Sequence, residues 1–235
     1  MSLDDEKRLA ADAAANLVQN DMIVGLGTGS TAAHAVRALG QRLGEGLKFV
    51  GVPTSRATER LAISLGIKLI DPDKVDVIDL TIDGTDEINP TFDMIKGGGA
   101  ALFREKTIAL ISTQVAVIAD STKLVDQLGQ FPLPIEVVPF GLNLTRRRIV
   151  QAMAPFGLAP DAIHLRLNAD GTPLVTDQGN HILDARFGVI TEPAMAAQAL
   201  DHITGIVEHG LFINIATQLL IGRGADVVVS YKGRV

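Results

Sequence analysis

Apolar residues recur along the chain in two rhythms, one helical and one continuous. Leu9, Ala13 and Leu17 stand four apart, as do Ala10, Ala14 and Val18, which is one face of a helix. Ser2 precedes that face with Asp5 three residues on, close to a capping box. Met22 to Gly25 is a short apolar run and predicts a strand. A helix follows from Ser30 to about Leu43, with Ala33, Val36 and Leu39 inward. The same alternation predicts a strand at Phe49 to Val52, then a helix capped by Thr54 or Ser55 and ended by Gly66. Ile67 to Ile70 reads as a short strand. Val77 to Ile82 is nearly all apolar, as in strands buried on both faces of a parallel sheet. Met94 and Ile95 lie on a further strand, before a helix over about Ala100 to Ser112 and a strand at Val115 to Ala119. Strands alternating with helices predict an α/β fold with a doubly wound, Rossmann-like, mainly parallel sheet.

The rhythm changes after Lys123. LGQFPLPIEVVPFG holds Pro132, Pro134 and Pro139 with Gly129 and Gly141, which suits a crossing between domains. Beyond it the pattern reads strand (Ile135 to Val138), helix (Thr145 to Ala154), strand (Ile163 to Leu167), strand (His181 to Ala185), helix (Glu192 to Ile203) and strand (Ile206 to Phe212). Turn residues Asn168, Asp170 and Gly171, then Asp177, Gly179 and Asn180, separate the middle strands, with a short strand expected at Pro173 to Thr176. The order β-α-β-β-α-β is that of a ferredoxin-like α+β unit. The apolar run Ala225 to Ser230 is expected to rejoin the first sheet. The expected division is a Rossmann-like domain over 1–130 and 208–235, with a smaller inserted ferredoxin-like domain over 131–207.

Composition narrows the function. The 235 residues carry 21 basic and 27 acidic side chains, a net charge of −6. An acidic chain without Trp and with the single Tyr231 suits neither phosphate-backbone binding nor base stacking, so no nucleic-acid partner is expected. No apolar run reaches the ~18 residues of a membrane span, and the acidic, amphipathic start is unlike a secretory signal. Cysteine is absent, which removes thiol nucleophiles and thiolate metal sites. A cytoplasmic protein without a membrane partner is expected.

Three polar motifs each follow a predicted strand, and loops at the carboxyl ends of strands converge in an open α/β sheet. In GLGTGST, glycines 25, 27 and 29 allow positive φ and close approach of backbone to a ligand. The helix start beyond them favours an anion, with Thr28, Ser30 and Thr31 adding hydroxyl donors. The motif lacks the Gly-Lys-Ser/Thr of a P-loop. It is also a poor dinucleotide fingerprint, with Ser30 at the third glycine position and no acid ending the next strand. A plain glycine-rich turn remains the alternative. In DGTDE, Asp83 and Asp86, spaced by Gly84 and Thr85, suit proton shuttling, hydroxyl binding or metal ligation in one pocket. Turn and cap chemistry uses the same residue types.

KGGGAALFREK is sharper. Gly97, Gly98 and Gly99 each disfavour regular structure by roughly 0.5–1 kcal/mol relative to Ala, so they suit a backbone nest facing an anion. Lys96 ends the strand before them. Glu105 falls inside the helical arc of Ala101, Leu102, Ile108 and Ala109, while Arg104 and Lys106 point elsewhere. A carboxylate there is partly desolvated, which favours proton uptake as a general base requires. An ion pair with a lysine would explain it as well. Lys123 would reach the same rim, though by itself it reads as a surface lysine, as does Lys7. Arg146 to Arg148 read as a solvated helical turn. The five histidines show no paired ligand spacing, so no metal is assigned.

Taken together, in this order and spacing, GLGTGST, DGTDE, KGGGAALFREK and Lys123 resemble ribose-5-phosphate isomerase, type A, over nearly the whole chain. Thr85 and Phe103 depart slightly from the family pattern. The resemblance implies an aldose–ketose isomerase with no cofactor and no metal. It implies Glu105 as proton acceptor, and Asp83, Asp86 and Lys96 on the sugar hydroxyls. Thr28 to Thr31 and Lys123 would lie along the substrate, in a homodimer or tetramer. The rival readings are a sugar-phosphate-sensing regulatory domain, which would not need Glu105 or Lys96, and an acyl-CoA transferase or amino-sugar-phosphate deaminase on a similar sheet.

Overall fold

The computed structural model describes residues 2–233. In chain order its elements are α1 (Leu3–Ala15), β1 (Ile23–Leu26), α2 (Ser30–Gly44), β2 (Val50–Pro53), α3 (Arg56–Ser64), β3 (Ile78–Gly84), β4 (Glu87–Ile88) and β5 (Met94–Ile95). Then follow α4 (Leu102–Leu110), β6 (Ser112–Asp120), β7 (Leu133–Val137), α5 (Leu142–Met153), β8 (Ile163–Leu165), β9 (His181–Ala185) and α6 (Pro193–Asp201). The chain ends with β10 (Ile206–His209), β11 (Leu211–Phe212), β12 (Gln218–Arg223) and β13 (Asp226–Tyr231). Two units emerge. One takes in the chain up to Thr85, Arg104–Lys123 and the chain from Ile215, and the other Asp86–Phe103 and Leu124–Asn214.

The first unit is built on a six-stranded sheet of order β13-β12-β6-β3-β1-β2. All neighbours pair in parallel except the β12–β13 hairpin. Chain order reverses direction between β1 and β3, which makes their carboxyl ends a topological switch point, where ligands settle in such sheets. Every residue of β3 except Asp79 is buried. Leu26, Leu39, Ile82 and Ile118 anchor the core on the face that α1 and α2 cover. Val52, Ile78 and Ile108 form a smaller cluster. Helix α1 begins on a full capping box: Asp5 N–H donates to Ser2 Oγ at 3.2 Å, and Ser2 N–H to the Asp5 carboxylate at 3.0 Å.

The second unit holds a four-stranded antiparallel sheet of order β10-β7-β9-β8 with α5 and α6 between its strands in sequence. Counted within the unit that order is 4-1-3-2, the ferredoxin-like arrangement. Its core runs through Leu133, Ile135, Ile149, Leu183 and Leu200. A three-stranded sheet, β11-β5-β4, completes it. Residues 86–103, expected with the Rossmann-like domain, group here because β4 and β5 pair with β11.

Three expected elements differ, and one strand was not expected. Ile67 to Ile70 makes only the bridge Gly51↔Leu69, and the strand expected at Pro173 to Thr176 only Leu167↔Pro173. Ile206 to Phe212 divides into β10 and β11, which belong to different sheets. The break falls at Gly210, where a Cβ would lie 2.3 Å from the Lys96 carbonyl oxygen. Strand β12, whose first five residues are buried, was not anticipated.

Candidate active site

In the first unit, GLGTGST leaves β1 and opens α2 at the switch point. Its glycines answer to two different demands. A Cβ on Gly27 would sit 2.2 Å from Asp83 Oδ1 and 2.6 Å from Asp83 Cα, and one on Gly25 would sit 1.9 Å from Thr81 Oγ1. Both glycines are therefore required by the neighbouring strand β3, where approach to a ligand was expected. Gly29 alone of the three has a positive φ, +108°, with open space around it. It caps α2 without a side-chain bond, so the first N–H groups of a 15-residue helix begin directly after it. That is an anion-accepting terminus. Lys7 on α1 brings its ammonium 3.4 Å from Ser30 Oγ at this same helix start, a pairing its place in the sequence did not reveal.

Asp83 is 3% exposed at the end of β3. Its Oδ1 accepts the N–H of Thr28 at 3.0 Å and that of Gly84 at 2.7 Å, which ties the glycine loop to the acid. Thr28 turns its hydroxyl into a cluster with Thr54 (2.8 Å), Ser55 (2.8 Å) and Thr58 (3.2 Å). The hydroxyl expected along a substrate is thus engaged within the protein. Thr31 lies beside Gly84, 3.9 Å from the position of a Cβ there. Glu105 on α4 is 4% exposed, as its place in the apolar arc required. Lys106, which points elsewhere on the helical wheel, is buried too, so α4 is covered on more than one side. Lys123 ends a 3-10 turn, Ser121–Lys123, directly after β6. Glu6 holds that turn: its carboxylate accepts the Ser121 N–H and hydroxyl at 3.0 and 2.8 Å, and the Gly224 N–H at 2.9 Å. The Gly224 N–H first, then those two Ser121 donors, hold the Glu6 carboxyl below its ordinary range.

In the second unit, Asp86 accepts the Gly98 N–H at 2.7 Å. One donor of the expected nest is therefore spent on an acid of the preceding motif. Gly97 is buried with φ +106°, while Gly98 and Gly99 are exposed. Lys96 is 5% exposed, with its ammonium 5.5 Å from the Phe212 ring centroid and its N–H on the Gly210 carbonyl at 2.9 Å. A ring face at that distance attracts a cation. Glu87, the last residue of DGTDE, serves structure: it accepts the N–H groups of Gly129 and Phe131. Thr85 ends the first unit's stretch of this motif.

Among the described residues one group has the makings of a metal centre, Asp201, Glu208 and His209. Sequence spacing found no partner for Glu208 and His209, because Asp201 comes from the end of α6. His209 Nδ1 accepts the Leu211 N–H at 3.2 Å, so Nε2 carries the proton and donates to Asp201 at 3.0 Å. Both ring nitrogens are hydrogen-bonded, which ties the imidazole to the end of α6 and the start of β11.

The family model of ribose 5-phosphate isomerase A (phosphoriboisomerase A) matches residues 50–226. A ribose-5-phosphate isomerase A of Rhodopseudomonas palustris is 51% identical over 226 residues, spanning 96% of this chain and 97% of the relative. One from a Caulobacter species is 52% identical over 228 residues, spanning 97% and 98%. Among solved structures, ribose 5-phosphate isomerase from Plasmodium falciparum superposes with a TM-score of 0.92 at 35% identity, over 98% of this chain and 100% of that one. A D-ribose-5-phosphate isomerase in complex with phospho-erythronic acid gives 0.91 at 38% identity over the same shares. Fold, sheet-end chemistry and relatives together define the class, an aldose–ketose isomerase of sugar phosphates. The chain belongs to the ribose 5-phosphate isomerase A family. It interconverts ribose 5-phosphate and ribulose 5-phosphate in the pentose phosphate pathway.

Proposed function

We propose that Glu105 is the base that carries a proton between C2 and C1 of the open-chain sugar phosphate. Its burial at 4% exposure on α4 is the observation that carries the reading. Burial keeps bulk water from the carboxylate, so that a proton taken from carbon is held for return to the sugar. The carboxylate takes the C2 proton, and the electron pair of that bond moves toward C1 as the aldehyde oxygen becomes anionic. The resulting enediolate exchanges a proton between O2 and O1. Glu105 then returns its proton to C1, leaving the ketose. Lys96 and the exposed glycine backbone beside it supply positive charge and donors for the developing oxyanion. Asp83 and Asp86 accept from sugar hydroxyls and relay the proton between the two oxygens. Gly29, Ser30, Thr31 and the Gly84–Thr85 turn contact the phosphorylated substrate, with Lys7 and Lys123 supplying charge to its phosphate. Thr28 contributes through its backbone and holds the loop.

The relative that binds phospho-erythronic acid supports this assignment of chemistry. That compound pairs a phosphate with a carboxylate beside a hydroxyl-bearing carbon, the charge pattern of an enediolate. The reading requires no metal or redox cofactor, since electrons return to the carbon skeleton they left. No described helix is long and apolar enough to cross a membrane. A cytoplasmic homo-oligomer, dimer or tetramer, is part of the same inference.

The test is ketose formation from ribose 5-phosphate by wild type and Glu105→Gln, with EDTA present. Wild type is expected to turn over, and the variant to lose about 10²–10⁴-fold in kcat with its fold retained. Equal turnover by the two would remove Glu105 as the base.

A further inference from the structure

Arg166 lies just past β8 and outside every motif that pointed to the reaction. Its N–H bonds the Ile182 carbonyl of β9 at 2.8 Å, which sets its backbone. The guanidinium is largely buried and forks in two directions. Nε and Nη2 grip the Asp184 carboxylate of β9 at 2.8 and 2.5 Å. Nη1 donates to the Gly97 carbonyl at 2.9 Å and to the Gly98 carbonyl at 3.0 Å. A trans peptide points its C=O and N–H in opposite directions. With the Gly97 carbonyl on Arg166, the Gly98 N–H is delivered to Asp86 at 2.7 Å, so both ends of that peptide plane are pinned. With the Gly98 carbonyl on the same nitrogen, the Gly99 N–H faces away from the guanidinium, on an exposed residue. A positive charge behind two aligned carbonyls also polarises both peptide units and strengthens their N–H groups as donors.

We propose that Arg166, oriented by Asp184, is a positioning residue for the isomerase: it sets the Gly97–Gly99 backbone so that Asp86 is placed and the Gly99 N–H is presented to the substrate oxyanion. The proposal rests on the reading of Asp86 and the glycine loop as substrate-facing. A planar fork with several donors is needed, because one side chain serves a bidentate carboxylate and two carbonyls at once. A lysine brings the charge without that geometry. Three glycines have little backbone preference of their own, and the one turn bond inside the loop, from the Ala100 N–H to the Gly97 carbonyl at 3.0 Å, leaves the peptides after Gly97 to be set by the clamp.

The experiment compares kcat and KM for ribose 5-phosphate in Arg166→Lys, Arg166→Ala, Asp184→Asn and Asp86→Asn, with thermal unfolding of each. Arg166→Lys and Arg166→Ala are expected to lose about 10- to 100-fold in kcat, with KM changed much less. Asp184→Asn is expected to lose less, and Asp184→Asn in the Arg166→Ala background to lose nothing more. Added guanidinium at low millimolar concentration is expected to restore part of the turnover of Arg166→Ala and to leave Asp86→Asn unchanged. A purely structural arginine would lower the unfolding temperature and leave kcat of the folded fraction at the wild-type value, which overturns the proposal. Should both arginine variants fail to fold, Asp184→Asn decides: reduced kcat supports the clamp, wild-type kcat overturns it. Wild-type turnover by Asp86→Asn would instead overturn the underlying reading of the loop, and the clamp with it. Reduced turnover there beside unaffected Arg166→Lys would overturn the clamp alone.

Discussion

Gly25–Thr31 leaves a parallel strand and enters a 15-residue helix, whereas Gly97–Gly99 leaves a two-residue strand and turns before α4. Regular structure holds the first loop. Pairing with β2 and β3 brings Gly27 against the backbone of Asp83, and the register leaves no room for a side chain. The second loop has no such frame. Beyond its own turn, in which the Gly97 carbonyl accepts the Ala100 N–H at 3.0 Å, its conformation comes from side chains, Asp86 on one N–H and Arg166 on two carbonyls. A loop held by backbone pairing is rigid by construction, and one held by side chains is adjustable by single substitutions. The same change, glycine to alanine, therefore has different consequences in the two places.

Gly27→Ala is expected to have the largest effect. Its Cβ would meet Asp83 Cα at 2.6 Å, and a paired strand cannot retreat without breaking its register. A loss of about 3 kcal/mol or more is expected, read as a shift in the denaturant midpoint. Wild-type stability would mean that β1 and β3 separate readily at their ends and that the first loop is no more rigid than the second. Gly98→Ala is expected to behave otherwise. Its φ is not in the left-handed region, and its Cβ would first meet Asp86 Oδ1 at 2.6 Å, the far end of a flexible side chain. Stability should change by about 1 kcal/mol or less, while kcat falls roughly tenfold as Asp86 is displaced. A large loss of stability with unchanged turnover would show that the second loop, too, is held mainly by the fold.

Thr28→Val sharpens the comparison from the side-chain direction. The hydroxyl sits among three others from the start of α3, at 2.8 to 3.2 Å. Removing it leaves partly buried donors and acceptors short of a partner, at a cost of about 1–2 kcal/mol. KM should hardly move if the hydroxyl serves the loop alone. A rise in KM with stability intact would return Thr28 to direct substrate contact.

These differences follow what could be read from the sequence. The parallel strands were legible because burial on both faces makes them nearly all apolar, as in β3. The first loop was legible because its supports are its neighbours in sequence, a strand before and a helix after. The reason for Gly25 and Gly27 was not, since strand pairing across 56 residues decides it, through Thr81 and Asp83. Arg166 was hidden for a stronger reason. It stands between Leu165 and Leu167 in a polar stretch, and its targets Gly97 and Gly98 lie 69 and 68 positions away. No periodicity encodes such a contact. Strand β12 was missed because Gln218 and Gly222 interrupt its apolar run, although both sit inside the sheet. Of the acids, Glu105 was readable from its helical arc, but Glu6 was not, because its partners Ser121 and Gly224 come from distant turns.

Glu6 gives the smallest effect and the one with a defined pH dependence. Its folded carboxyl is held below the ordinary value of 4.5 by the Gly224 N–H and by the Ser121 N–H and hydroxyl. A carboxyl lowered in the folded state adds stability that is fully present above its unfolded value and disappears as pH falls through the folded one. The stability difference between wild type and Glu6→Gln should therefore be constant from neutral pH down to about 4.5, then shrink toward zero below it. Urea unfolding of both proteins across that range measures it. A difference that stays flat to low pH would mean that the lost contacts, and not the charge, set the stability. Because Ser121 opens the turn that carries Lys123, Glu6→Gln should also raise KM for ribose 5-phosphate slightly at neutral pH. An unchanged KM would mean that this turn keeps its place without the carboxylate, held, like the first glycine loop, by the sheet that it follows.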